Sequence, residues 1–321
     1  ELRWAEEHSP VVHYRDDRPP EPWPAQRLDE VTTKGADLAL LDSISHVVIG
    51  YPNELLHAFA LVDSPGLDGR LSDEDVKRLL GEGMSSADVE DLQSTMVADA
   101  ESAIARADAA VFVVDRASIG EQVRTLAAAF GGVGGHRLAG PLNTIAIINR
   151  PEMYWPRHGP DPLVTGRTII DDERKRYPEI DEIFFDAVPV CGLLAEGAQT
   201  LTGDHLETLT DLAHLPRETL EEALDDFNFF CFEEFDDVPV PPERRSEIAG
   251  RIHTYGVHLA CELIRDGVDD PVKLRQPLLD ASGLPQLRTL LIDHFGNRAG
   301  IIKADRVIGD VHAAIKQVRI K

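Results

Sequence analysis

Five short apolar runs, each ended by a turn or a polar residue, constrain the fold of this chain more than any other feature. They read PVVHYRD (10–16), AFALVDSPG (58–66), DAAVFVVD (108–115), NTIAIINR (143–150) and DAVPVCGLLA (186–195). Rich in Val, Ile and Phe and without strict alternation, such runs fit strands buried on both faces, as in a parallel sheet. The intervals carry helical periodicity. One helix is expected from about Ser86 to Ala107, capped by Ser85 or Ser86, with Val89, Leu92, Val97 and Ile104 near one face. Another is expected over roughly Ile119 to Phe130. Strand and helix in alternation give an α/β fold with right-handed crossovers.

The pattern changes from about Gly203, where the chain reads as helices. HLETLTDLAHL is followed by PRETLEEALDDFNFF, in which Pro216 suits a first helical turn. DDVPVPP (236–242) reads as a rigid linker. Helices resume with ERRSEIAGRIHTYGVHLACELIRDG, closed by Gly267 as a C-cap. DPVKLRQPLLDASG gives a shorter helix and turn. From Leu284 to the last residue the apolar spacing of three and four continues, so both ends read as truncated, the more so because the chain begins at Glu1 rather than Met.

Length allows one large α/β domain or two modest ones, with 43% apolar residues to build a core. The net charge of −25 argues against a nucleic-acid surface, which needs clustered Lys and Arg, and against direct adhesion to anionic lipid. Cys191, Cys231 and Cys261 are too widely spaced for a disulfide framework or a zinc site, and they suit a reducing cytoplasm. No apolar run approaches the roughly 18 residues of a membrane span.

Three of the run ends carry chemistry. Ligands of open α/β sheets sit outside the carboxyl ends of the strands. At the end of the second run, Asp63 can hold Mg²⁺ through water, Pro65 stiffens the turn, and Gly66 lets a backbone N–H approach a terminal phosphate. The polar, Gly-containing stretch after it resembles a loop that orders around a γ-phosphate. At the end of the fourth run, Asn149, Arg150 and Glu152 stand in an N-[KR]-x-[DE] pattern. There Asn bonds the base and the neighbouring loop, the Arg stem lies on the purine face, and a carboxylate accepts from the two N–H groups of a guanine edge. At the end of the fifth, Cys191 and Gly192 offer backbone N–H groups to a guanine carbonyl oxygen. Metal-free readings exist for each: capped turns for Asp63 and Asn149, a small buried residue for Cys191.

Taken together, these segments resemble the dynamin-family GTPases, in particular the isoniazid-inducible dynamin-like proteins of actinobacteria. The resemblance rests on VVHYRDDRPP after the first switch, LVDSPGLDG, RADAAVFVVDRASIGEQVRTL, NRPE and AVPVCGLLAEGAQTL. It continues through HLPRETLEEALDDFNFF and DASGLPQLRTLLIDHFGNRAGIIKA. It implies a P-loop-NTPase-type α/β fold and a Mg²⁺-dependent GTPase. Residues 1–202 would form a truncated GTPase-like domain, 203–296 a helical extension completing it, and 297–321 the start of a helical neck. Such a protein binds GTP and GDP, self-associates or pairs with a related dynamin-like protein, and remodels membranes through a helical trunk. It would sit in the cytoplasm or peripherally on the inner face of the membrane.

The chain departs from that family in three respects. No G-x-x-x-x-G-K-[ST] occurs in its 321 residues. FGGVGGHRLAG (130–140) follows a helix, lacks Lys and a following Ser/Thr, and reads as a flexible loop. The family's first strand, phosphate loop and first helix would therefore precede Glu1, leaving a sheet without its first strand. Glu152 replaces the more usual Asp, and Cys191 stands where Ser is common. A rival reading is a pseudo-GTPase, keeping the fold as a docking or assembly module for a partner dynamin-like protein.

Overall fold

The computed structural model of the chain describes residues 1–28, 30, 40, 43–64, 73–81, 83–114, 140–234 and 238–319. The helix expected over 119–130, the glycine-rich stretch up to residue 139, Pro65 and Gly66 lie outside the described residues. Contacts divide the chain into two compact units, Glu1–Ala107 and Asp108–Lys321.

The first unit is built on strands β1 (Leu2–Trp4), β2 (Ser9–Tyr14), β3 (Glu21–Pro22) and β4 (Ile44–Tyr51), in the order β1-β4-β2-β3. β1 runs parallel to β4, whereas β2 runs antiparallel to both β4 and β3. Helices α1 (Asp73–Gly81) and α2 (Ser86–Arg106) follow. Among the described residues, Val12, Trp23 and Ile44 form the buried cluster of this sheet, packed by Tyr14, Leu40 and Val47. The strand expected in PVVHYRD is present as β2. α2 starts at Ser86, with the Ser85 hydroxyl accepting from Asp88 N–H and donating to its carboxylate.

Two expectations fail in this unit. β4 carries the longest ladder of the sheet but was not foreseen, because His46 and Gly50 interrupt its apolar run. Conversely, the run beginning at Ala58 is not a strand. Leu61 alone forms an antiparallel bridge, exchanging both backbone hydrogen bonds with Leu2. A strand exists only where a neighbour supplies a ladder, and among the described residues only β1, three residues long, offers one here. Leu61, Val62 and Asp63 consequently stay exposed.

In the second unit β5 (Ala110–Val114), β6 (Thr144–Asn149) and β7 (Ala187–Val190) form a three-stranded sheet, parallel throughout. β7 is buried at every residue and β6 at all but Ile147 and Asn149, as expected of the apolar runs, whereas β5 alternates, with Val111 and Val113 exposed. The α/β fold with a parallel sheet and a helical C-terminal region is thus as read from the sequence. The helices are α3 (Pro162–Arg176), α4 (Ile180–Ile183), α5 (Gly192–Thr200), α6 (Gly203–Ala213), α7 (Arg217–Leu224), α8 (Phe227–Phe232), α9 (Pro242–Arg265), α10 (Pro271–Ala281), α11 (Leu284–Leu291) and α12 (Ala299–Arg319).

α9 is the axis of the helical region. Ile248, Ile252, Val257 and Ala260 on it are fully buried with Leu194 of α5, Leu209 and Leu212 of α6, Leu224 of α7 and Phe230 of α8. Complete burial of each such side chain contributes about 1.5–3 kcal/mol relative to exposure. Gly267, with φ +100°, ends α9 as expected of a left-handed C-cap. The 236–242 linker is not loose, because Val238 and Val240 are buried. The Arg245 guanidinium, itself 1% exposed, donates to the carbonyls of Val240, Phe230 and Glu233. The final helical stretch is interrupted: a π turn at Ile292–Gly296 separates α11 from α12. No helix among the described residues is long and apolar enough to cross a membrane.

Candidate functional site

The parallel pairing of β6 and β7 sets Asn149 opposite Val190, so the two strands end side by side. The chain leaves β6 through Arg150, whose φ of 60° and ψ of 42° place it in the left-handed region. That conformation turns the backbone sharply into a short 3-10 turn, Pro151–Tyr154, carrying Glu152. The chain leaves β7 through Cys191 and enters α5 at Gly192. The two exits meet: Asn149 Oδ1 lies 3.1 Å from where a Cβ on Gly192 would stand. Asn149, Arg150, Glu152, Cys191 and Gly192 are therefore brought together at one sheet edge, the carboxyl edge where ligands of such sheets sit.

Glu152 is the unusual member. It is 1% exposed, and its Oε2 has no hydrogen-bond partner among the described residues. Burial holds its carboxyl above the ordinary range; the Cys191 thiol and the Arg150 charge oppose that shift without cancelling it. The Cys191 thiol is fully buried, and burial, reinforced by Glu152, pushes it far above a normal thiol. Such a thiol is no nucleophile at neutral pH. Behind the pair, Trp155 packs against Tyr255 and His258, at ring distances of 5.8 and 5.1 Å. Burial pushes the Tyr255 hydroxyl up to about 12.

The turn after α10 was read only as the end of a helix, yet it supports this edge. The Ser282 carbonyl accepts from Cys191 N–H at 2.8 Å. Gly283, with φ +78°, lies so close to β7 that an added Cβ would stand 2.7 Å from the Pro189 carbonyl oxygen. Glycine is required there on both counts. The signal was the SG pair in DASGLP, whose target strand cannot be read from sequence. The same contact commits the Cys191 N–H, leaving the Gly192 N–H as the one of the two foreseen donors for a ligand.

At the other end of the foreseen site, Asp63 is exposed in the first unit, and Pro65 and Gly66 lie outside the described residues. Among the described residues no group of three or more His, Cys, Asp or Glu side chains could hold a metal ion. A lone carboxylate such as Asp63 suits Mg²⁺, which keeps several waters and takes one or two carboxylates beside phosphate oxygens. The base end fits a purine better, since Glu152 retains an unpartnered acceptor beside Cys191.

No protein-family model matches the chain. Over 263 residues, 80% of its length, it is 28% identical to the isoniazid-induced protein IniC of Mycobacterium tuberculosis, strain CDC 1551 / Oshkosh. The same figures hold for IniC of strain ATCC 25618 / H37Rv. The chain spans about half the length of these curated relatives, 48%. The resemblance to the isoniazid-inducible dynamin-like proteins read from the motifs is therefore borne out along most of the chain.

Proposed function

We propose that this chain carries the nucleotide-binding region of a dynamin-like large GTPase. Carrying this reading is the convergence of Asn149, Arg150, Glu152 and Gly192 at the paired ends of β6 and β7. In it, Asn149 bonds the base and the neighbouring loop, and the Arg150 stem covers the purine face. Glu152 accepts from the guanine edge, and the Gly192 N–H donates to the guanine carbonyl oxygen. Asp63 holds Mg²⁺ through water, with Pro65 and Gly66 at the γ-phosphate end. The Mg²⁺ would neutralise phosphate charge. GTP turnover, self-association with like chains and membrane remodelling from the cytoplasmic side belong to the whole protein in this reading.

The test is binding of a fluorescent GTP analogue and Mg²⁺-dependent phosphate release by the full-length protein. Asn149→Ala is expected to weaken binding about tenfold or more, the loss of a hydrogen bond to a desolvated base. Asp63→Ala is expected to abolish turnover; undiminished hydrolysis would remove Asp63 from the site.

The burial of Glu152, which is 1% exposed and whose charged form burial disfavours, favours a second reading. In that reading the fold is a pseudo-GTPase that docks on a partner dynamin-like protein. It requires that the full-length protein bind no GTP with Mg²⁺ and co-purify with its partner. Micromolar GTP affinity would sink it.

A further inference from the structure

The helix α8 reads FNFFCF, apolar on nearly every side. Phe230 and Cys231 are buried in the helical core, and Phe227 stacks on His253 at 5.1 Å. Phe229 and Phe232 remain 47% and 66% exposed. Both line an open groove of about 580 Å³, together with four carboxylates, Glu222, Asp225, Asp226 and Glu233. The C-terminal end of α8 is pinned by Arg245 through the Phe230 and Glu233 carbonyls. The N-terminal end is capped by Asp226, which accepts from Asn228 and Phe229 N–H. The aromatic pair is thus held on a fixed platform. Exposed aromatics rimmed by charge, on a rigid element, are the composition of an interaction site.

Charge decides the occupant. Arg157 approaches Asp225 and Asp226 at 3.6 and 3.4 Å, both as exposed pairs; among the described residues that line the groove, four are carboxylates and none is basic. An anionic membrane would be repelled by that rim. A second copy brings a further net charge of −25. Its basic run Arg174–Lys175–Arg176 is already paired with Asp181, Asp186, Asp172 and Glu173. From these observations we infer that the α8 groove docks a basic amphipathic segment of a partner protein, with its apolar anchor on Phe232 and Arg or Lys against the carboxylates. This inference does not depend on nucleotide binding.

The probe is a fluorescently labelled Leu/Arg peptide patterned as an amphipathic helix, titrated into the full chain by anisotropy at low and high salt. A lysine oligomer of equal charge serves as control. Saturable binding that weakens with salt is expected, with about tenfold loss in Phe232→Ala, as for an aromatic anchor. Glu222→Gln with Glu233→Gln is expected to weaken binding and flatten its salt dependence. All three positions are exposed, so circular dichroism and melting should be unchanged in the variants. The proposal is overturned if the peptide does not bind, if the lysine oligomer binds equally well, or if Phe232→Ala binds like the parent. Sedimentation showing self-association that Phe232→Ala abolishes would also overturn it, assigning the groove to a second copy.

Discussion

At the scale of single residues, Glu152 concentrates the tension between stability and function. A carboxyl buried with one oxygen unpartnered is a liability to the fold, and burial raises its pKa above the unfolded value. The sign follows from linkage. Protonated in both states at low pH, the group adds no ionisation cost; as pH rises the unfolded chain releases its proton first, and the folded state loses stability. Glu152→Gln removes that ionisation. Thermal melts of the variant and the parent should coincide, apart from a constant offset, below pH about 4. They should diverge in the variant's favour towards pH 7. Under the nucleotide reading the same variant loses preference for GTP over other nucleoside triphosphates, because an amide presents one acceptor where guanine needs two. A variant gaining stability while keeping guanine preference would leave Glu152 as a buried accident. The identity of these residues was legible in NRPE and DAVPVCG. The depth of Glu152 was not, since it depends on Cys191 and the chain crossing behind it.

At the scale of elements, the break in α9 is the least legible feature and the most exacting. His253 takes φ 59° and ψ 167° in the middle of a 24-residue helix, and neither Gly nor Pro marks the spot. A residue held there costs on the order of 1–3 kcal/mol, so its surroundings must enforce it. Two contacts do so: Phe227 stacks on the His253 ring, and α5 passes so closely that a Cβ on Gly197 would collide with the Arg251 carbonyl. Gly197→Ala is therefore expected to destabilise by about 1–3 kcal/mol, read from the urea midpoint. An unchanged midpoint would mean that α5 can back away from the break. Burial also lowers the His253 pKa to about 4, below the ordinary value of 6.5. The stability this neutral ring supports is present above pH 6.5 and lost as pH falls through 4. His258 and His294 shift the same way. His253→Gly should relieve the backbone and reduce, without abolishing, the loss of stability on acidification. By contrast β2, β5, β6 and β7 were legible, because each is an apolar run with a neighbour to pair. The run at Ala58 looked the same and failed for want of that neighbour, a property of the partner rather than of the run.

At the scale of the whole molecule, the two units differ in what holds them. Among the described residues, the first carries a sheet cluster of Val12, Trp23 and Ile44, with partly buried residues around it. The second buries a continuous apolar cluster under α5 to α10, most of it fully inaccessible. Apolar burial supplies most of the driving force for folding, and small cores leave marginal stability. The units are therefore expected to unfold separately, the first at lower urea. The three tryptophans report this without labels, because Trp4 and Trp23 lie in the first unit and Trp155 in the second. In Trp155→Phe the fluorescence transition should move to lower urea. In a Trp4→Phe, Trp23→Phe variant it should stay at the higher midpoint and coincide with loss of helical circular dichroism. The asymmetry was not legible beforehand, since the apolar runs of both units look alike; what differs, among the described residues, is how many helices close over them. If all three probes fall together, the chain unfolds as one cooperative body. If they separate, the Asn149–Gly192 edge belongs to the sturdier unit. Asp63 then belongs to the weaker one, and added GTP with Mg²⁺ should raise the lower midpoint as well as the higher if both ends hold the same nucleotide.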